Sequence, residues 1–455
     1  MKKMYSRFIL LSFLLIATVP YVSFAQKNQT FQWQAYENVE EVGFAQEELS
    51  QLKNQLGSTK TAALLVIYKG HVLFSYGDNT RKFMLHSIRK SMMNALIGRE
   101  VASGTLRLDA TLADLQIDDI GKLTTEEKKA TLKDLLSSRS GIFHPAAYSP
   151  RGMAKNLPER GSHTPGTFWY YNNWDFNTLL TIYERQSGKR FFEAFTTEIA
   201  QAIGMEDFEL EDNYYRHEPE KSIHPAYLMR MSSRDMARFG LLYLNEGAWA
   251  NQQLLSSEWI QQSTSAVTDN LPGFDTREGY GMLWWTATIN NKNAYYASGS
   301  GGQRILVLPE DDMIIVHRAN TYENRNVSDA EVNQIIETLL VAKKKEVSPS
   351  SATLKPYKPK KKVFEDVYHG SMDQYLGTYR HKFLGNMTIQ KEKGGYYLKN
   401  NIGTFRLYVT NENTFMPVDI ETPMVMEQAS EGHNKFTIET RFDKNRRVTH
   451  VVFYY

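Results

Sequence analysis

The run Ser91-Met92-Met93-Asn94-Ala95-Leu96-Ile97 reads as a buried helix ending near Gly104, and a helix of that kind must lie inside a layered fold. Immediately before it stands Ser87-Ile88-Arg89-Lys90. Residues three apart share a helix face, so a hydroxyl and an amine are set one turn apart. Ser87 falls at the helix start, where unpaired backbone N–H groups and the positive end of the dipole favour the anion formed when a carbonyl is attacked. A capping serine followed by a solvated lysine is the bland alternative. Ser-x-x-Lys is too short to decide between the two.

Two further motifs bear on the choice. Pro165-Gly166-Thr167-Phe168-Trp169-Tyr170-Tyr171-Asn172-Asn173 is a turn leading into an aromatic and amide-rich segment before a helical run over 176–183. Tyr295-Tyr296-Ala297-Ser298-Gly299-Ser300-Gly301-Gly302-Gln303 is a short strand opening into glycines, with a second strand over 304–308. The order is Ser-x-x-Lys, then Tyr-x-Asn, then a small-Gly-Gly segment. This ordered set resembles the serine β-lactamase-related hydrolases: class C β-lactamases, DD-peptidases and penicillin-binding-protein-like esterases, with a motif style close to the 6-aminohexanoate-dimer hydrolases. The resemblance spans roughly residues 40–340. It includes Leu135-Leu136-Ser137-Ser138-Arg139-Ser140-Gly141 and the phrase from Arg230 to Gly240.

A serine hydroxyl is a poor nucleophile at neutral pH, so a neighbour must accept its proton. No histidine has the context for this. A lysine ammonium beside a tyrosine favours the phenolate, and the tyrosinate in turn holds the lysine charged. The resemblance implies Ser87 as nucleophile, Tyr171 as the main general base and acid, and Lys90 as its partner or co-base, with the first proton acceptor left open between the two. Asn173 would bond Lys90 and the substrate's acyl side, or else serve as a cap asparagine. Ser300, Gly301 and Gly302 would stand where relatives carry Lys-Thr-Gly or His-Thr-Gly, and the oxyanion hole would be the backbone N–H groups of Ser87 and Gln303. Serine in place of that cation removes a charge-assisted bond, so selection for a free carboxylate should weaken. An esterase or amidase is therefore expected ahead of a β-lactamase. A penicillin-binding protein acylated with slow turnover, and a noncatalytic wall-binding relative, are the alternatives.

Lys2, Lys3 and Arg7, an apolar run over 8–19 and Ser23-Phe24-Ala25 give a secretory signal over residues 1–25, cleaved after Ala25, too short for a comfortable membrane span. A periplasmic or secreted protein is expected. With no cysteine there is no disulfide framework, lipoprotein site or thiol catalysis. A formal charge of +2 with dispersed basic residues gives no footprint for nucleic acid. His86, His144, His163 and His224 lack metal-ligand spacing, so neither a metal nor another cofactor is expected. The implied partner is a small ester, amide or short peptide.

The expected fold is α/β. A β-lactamase/transpeptidase-like domain over 26–343 would build an antiparallel sheet from both ends of the domain, with helices and a helical insertion. A basic, Pro- and Ser-containing linker over 344–365 and an all-β, barrel-like domain over 366–455 would follow. Helices are predicted near 46–56 and 329–343, and strands near 62–68, 71–76, 281–287, 294–298, 304–308 and 313–317.

Overall fold

The computed structural model describes residues 32–455 except 275–276, 324, 346, 348–351, 382–384, 401–402, 419–422, 429–433, 442–447 and 455. The predicted leader lies outside the described residues. No helix among them is long and apolar enough to cross a membrane.

Nine strands form one sheet, in the order Gly279–Tyr280, Trp285–Ile289, Lys292–Gly299, Gln303–Leu308, Met313–Ala319, Thr61–Tyr68, His71–Gly77, Gln34–Tyr36 and Leu354–Pro356. The N-terminal hairpin joins the C-terminal meander through Thr61–Tyr68 and Met313–Ala319, which pair along nearly their whole length. These central strands are apolar at almost every position, because both faces are covered. On one face lie the helices Gln46–Ser58 and Asp329–Val341, packed on each other. Helix Ser233–Leu244 packs against strands Thr61–Tyr68, Gln303–Leu308 and Met313–Ala319. Gly240 permits that approach, since a Cβ there would lie 2.9 Å from Ile314 Cγ2.

Between Arg89 and Ala102 runs the central helix, buried from Arg89 through Gly98. It has no polar face, so its polar side chains are tied to neighbouring loops. Ser91 Oγ donates to the Leu283 carbonyl at 2.8 Å, and Asn94 Nδ2 donates to that of Met282 at 2.8 Å. Asn94 Oδ1 accepts from Tyr243 OH at 2.6 Å and from Trp259 Nε1 at 3.1 Å. These bonds satisfy groups that burial would otherwise leave stranded, and they fix the helix in register with the sheet.

Two expectations change. The predicted linker is not simply solvated: Leu354–Pro356 adds an edge strand against Gln34–Tyr36, and Tyr357 OH lies 2.9 Å from Ser75 Oγ. The strand predicted over 281–287 begins only at Trp285, because residues 281–284 form a bend in which Leu283 has φ 63°.

Beyond the edge strand, eight antiparallel strands from Gly377–His381 to Val448–Tyr454 close into a barrel through the pairing of Arg380 with Tyr454. The strand Gly403–Asn411 alternates buried and half-buried residues, as a one-sided barrel wall requires. Its core includes Tyr379, Leu398, Phe405, Leu407 and Phe415. The barrel is fastened to the α/β body by Arg230, which donates to the Thr404 carbonyl at 2.8 Å and to Asp212 Oδ1 at 2.6 Å, with its guanidinium 4.6 Å over the Phe405 ring.

Gly98 gives a direct test of how tightly the central helix is packed. A Cβ there would sit 2.3 Å from Trp259 Nε1, a contact the buried indole cannot escape. Gly98→Ala should lower stability by about 1–3 kcal/mol in chemical denaturation through overpacking. Gly57→Ala, in an exposed helical position with nothing within 4 Å, should instead raise it by about 0.4–1 kcal/mol.

Candidate active site

Ser87 lies in a single 3-10 turn, His86–Ile88, that feeds directly into the central helix. The preceding residue, His86, has φ 50°, a left-handed conformation unusual for a residue with a Cβ. Strain of this kind is kept where the surroundings over-determine it. Here His86 Nε2 lies 2.8 Å from Thr321 Oγ1, and Nδ1 lies 3.3 Å from Tyr148 OH. Burial, with Arg89, Arg318 and Lys90 nearby, depresses the His86 pKa to about 4, so the ring is a neutral strut.

Lys90 Nζ lies 2.8 Å from Ser87 Oγ and 2.9 Å from Tyr171 OH. The lysine is 2 % exposed, and its nitrogen also sits 4.3 Å over the Phe176 ring. Burial pushes its pKa well below the ordinary lysine value, and the neighbouring Arg89 pushes it further. Burial also raises the Tyr171 pKa, an effect only partly offset by Ser87, Arg89 and Arg277. Burial thus works against both of the charged forms expected from pairing alone. The reason is that the site is dry, and desolvation penalises both charged forms.

The segment carrying Tyr171 is held rigidly. Tyr170 N donates to the Ser138 carbonyl at 2.9 Å, and Gly166 N donates to that of Arg139 at 2.8 Å, so the 135–141 loop serves as its rail. Asn172, not Asn173, caps the helix Asn173–Ser187, accepting from Trp174 N at 3.0 Å and donating to the Ile142 carbonyl at 2.6 Å. Trp285 stacks on the Tyr171 ring at 5.4 Å, and Phe176, Phe274 and Tyr280 surround it. Asn173 lines the crevice, but its amide donates to the Tyr148 carbonyl at 3.0 Å, its Oδ1 is buried and unpartnered, and it makes no hydrogen bond to Lys90.

The third motif moves in register. Ser300, Gly301 and Gly302 are the turn between strands Lys292–Gly299 and Gln303–Leu308, with φ of 79° at Gly301 and 93° at Gly302. They line the crevice as a rim. His317 Nδ1, 2.5 Å from the Gly302 carbonyl, fixes the turn. Gln303 is fully buried and paired with Gly299, its side chain held by the Ala319 carbonyl and Arg318, and it does not line the crevice. The strand end facing Ser87 is Ser298-Gly299: a Cβ on Gly299 would lie 2.3 Å from the Leu85 carbonyl and 3.2 Å from His86 Cβ. Close backbone approach is required at Gly299, and also at Gly301 and Gly302, where a Cβ would lie 2.5 Å from Thr321 Cγ2 and 2.8 Å from the Val327 carbonyl oxygen.

These groups border a crevice of about 1050 Å³, whose lining also includes Arg89, Tyr148, Arg216, Phe274, Arg277 and Trp285. Sequence reasoning left Trp285 out and missed Arg277, which comes from a loop with no motif. No group of three or more His, Cys, Asp or Glu side chains among the described residues is placed to hold a metal ion.

Comparison with known proteins gives the family and the fold. The Beta-lactamase family model matches residues 50–337, more than half of the 455-residue chain, and the chain belongs to that family. Proteins of this fold are generally serine hydrolases. Among solved structures, a candidate 6-aminohexanoate-dimer hydrolase from Bacillus anthracis superposes with a TM-score of 0.50 at 21% identity, over 69% of this chain and 90% of that one. SurE superposes with a TM-score of 0.51 at 16% identity, over 91% of this chain and 99% of that one. A candidate beta-lactamase from Bacteroides dorei DSM 17855 gives 0.51 at 18% identity, over 66% and 99%. At such identities the likeness is one of fold. No curated protein matches the sequence significantly.

Asp175 tests how the Tyr171 segment is held. It is 1 % exposed, accepts from Ser140 Oγ at 2.6 Å and Asn172 Nδ2 at 3.2 Å on one oxygen, and leaves the other unpartnered. Burial raises its pKa well above the carboxylate range. A raised folded-state pKa means that its contribution to stability is present below the unfolded pKa and is lost as pH rises. Asp175→Asn should match wild type in acid and gain relative stability as pH climbs past the ordinary carboxylate range, read from denaturation midpoints. Asp175→Leu, which leaves the Ser140 hydroxyl without its acceptor, should cost about 1–3 kcal/mol.

Proposed function

We propose that this protein is a secreted or periplasmic serine hydrolase that cleaves an ester or amide through an acyl-enzyme on Ser87. The observation that carries the reading is the buried Lys90 amine, 2.8 Å from the Ser87 hydroxyl and 2.9 Å from the Tyr171 phenol. Lys90, held neutral by burial, accepts the Ser87 proton as Oγ attacks the carbonyl. Tyr171 relays that proton to the departing oxygen or nitrogen. Deacylation reverses the relay with water as the nucleophile. Two backbone N–H groups would receive the oxyanion: Ser87 at the helix start, and Ser300, which follows Gly299 where the strand presses on the nucleophile turn. We take the second donor to be Ser300 in preference to Gln303. The location outside the cytoplasm rests on the leader pattern in residues 1–25.

Intact mass after exposure to an aryl fluorophosphonate tests the reading. Wild type should gain one adduct and Ser87→Ala none; absence of an adduct on folded wild type would overturn the proposal. Lys90→Met should slow labelling by about 10²–10⁴-fold, the usual contribution of a positioned base. Tyr171→Phe should slow hydrolysis of an amide more than that of an aryl ester, because a phenolate departs without a proton. An adduct formed from a substrate ester and released only slowly would identify the slow-turnover alternative.

A further inference from the structure

The proton relay through Lys90 and Tyr171 makes no use of Arg89, which stands between the nucleophile and its base. Arg89 opens the central helix and is 1 % exposed, in a first turn that holds two cations and no acidic residue. A helix start is already positive, so a cation there opposes the dipole. Buried charges are normally paired, but Arg89 Nε and Nη2 are buried without a hydrogen-bond partner. Aromatic rings enclose the guanidinium, which lies 5.6 Å from the centre of the Tyr148 ring and 5.1 Å from that of Tyr227. An unpaired dry cation at a positive helix end costs stability, and unfavourable choices of this kind are kept at functional sites.

The hydrogen bond that Arg89 does make shows what the charge can do. Nη1 donates to the His86 carbonyl at 3.1 Å. That carbonyl belongs to the peptide joining His86 to Ser87, and the N–H at the other end of the same peptide is the oxyanion donor taken for Ser87. Hydrogen bonds in series through one amide polarise each other, most strongly where the donor is charged and the surroundings are dry. Thr321 and Tyr148 hold the His86 ring, whereas Arg89 holds its backbone. With φ 50° at His86, the orientation of this peptide must be imposed by its surroundings. A guanidinium also keeps its proton where an ammonium yields it, so the charge on Arg89 is permanent. The other ionisable groups around it are Lys90 and Tyr171, whose charged forms burial disfavours, and neutral His86, with Arg277 acting on Tyr171 from across the crevice.

We propose that Arg89 is a positioning residue: it orients and polarises the peptide between His86 and Ser87, so that the Ser87 N–H meets the oxyanion as a stronger donor. Its charge acts through that peptide rather than through contact with the reacting atoms. The proposal rests on Ser87 being an acylating nucleophile, and the test separates the two.

The test compares a short aryl ester with its thionoester, in which sulfur, a poor hydrogen-bond acceptor, replaces the carbonyl oxygen, and reads the ester-to-thionoester ratio of kcat/KM. Wild type should prefer the ester. Arg89→Met should lower that preference about tenfold, a part of the hundred- to thousandfold that loss of a whole oxyanion donor costs, and Arg89→Lys, which keeps a charged donor, should restore some of it. The acid limb of fluorophosphonate labelling should also move to higher pH in Arg89→Met, because a cation beside Lys90 has gone, and stay closer to wild type in Arg89→Lys. Arg89→Met should fold with a denaturation midpoint no lower than wild type, since an unpaired buried charge is removed. A merely structural role would lower the midpoint, slow ester and thionoester equally and leave the limb in place; that result would overturn the proposal. A folded wild type that takes no fluorophosphonate adduct would overturn the hydrolase reading and this proposal together, whereas a labelled wild type with an unchanged ratio in Arg89→Met would overturn this proposal alone.

Discussion

The burial of Lys90 is the constraint on which the rest of the site depends. An ammonium taken out of water without a carboxylate to pair it costs several kcal/mol, and a lysine escapes most of that cost by giving up its proton. Among the described residues nothing acidic touches Lys90: its neighbours are a hydroxyl, a phenol, the rings of Tyr171 and Phe176, and the cation of Arg89. The fold thereby pushes the Lys90 pKa down towards the range in which an amine can serve as a base. The same dryness keeps Tyr171 protonated, so the pair holds a proton to give and a lone pair to receive one.

Holding an amine there requires a scaffold that leaves no room for water, and much of the α/β body serves that end. The central helix is buried on every face and anchored by Ser91 and Asn94 to the 282–283 bend. The Tyr171 segment rides on the 135–141 loop and is wedged by Trp285, Phe274 and Tyr280. The nucleophile turn is braced through His86 by Thr321, and the adjoining Tyr322 packs against Phe405 of the barrel at 5.6 Å. The barrel therefore abuts the support of the nucleophile. A second depression of about 470 Å³ between barrel and body shares Arg216 and Glu218 with the crevice.

Much of this was legible in the sequence for identifiable reasons. Ser87, Lys90 and Tyr171 were found because their chemistry demands fixed residue types at fixed local spacing, and most sheet strands and flanking helices were found because periodicity is local. What failed was non-local. The third motif is ambiguous in sequence because Ser298-Gly299 and Ser300-Gly301-Gly302 are both small residues with glycine, and the packing of Gly299 on Leu85 and the left-handed turn at Gly301 and Gly302 are not local signals. The place of Arg277 in the crevice lining is invisible in sequence because its loop has no pattern and its neighbours Trp285 and Ser298 are brought beside it by the sheet. The upward push of burial on the Tyr171 pKa is not legible in sequence, because a pair in isolation carries no information about solvent.

The most direct test of the account is the rate at which a fluorophosphonate labels Ser87 as a function of pH, from about pH 5 to about pH 10, in wild type and Lys90→Met. A lysine whose folded pKa is depressed is a free base above that value and loses the role as pH falls through it. The rate should therefore rise to a plateau with an apparent pKa well below the ordinary lysine value of 10.5, and this limb should vanish in Lys90→Met. A rate that climbs without a plateau towards 10.5, or an identical limb in the variant, would contradict the claim that burial makes Lys90 the base.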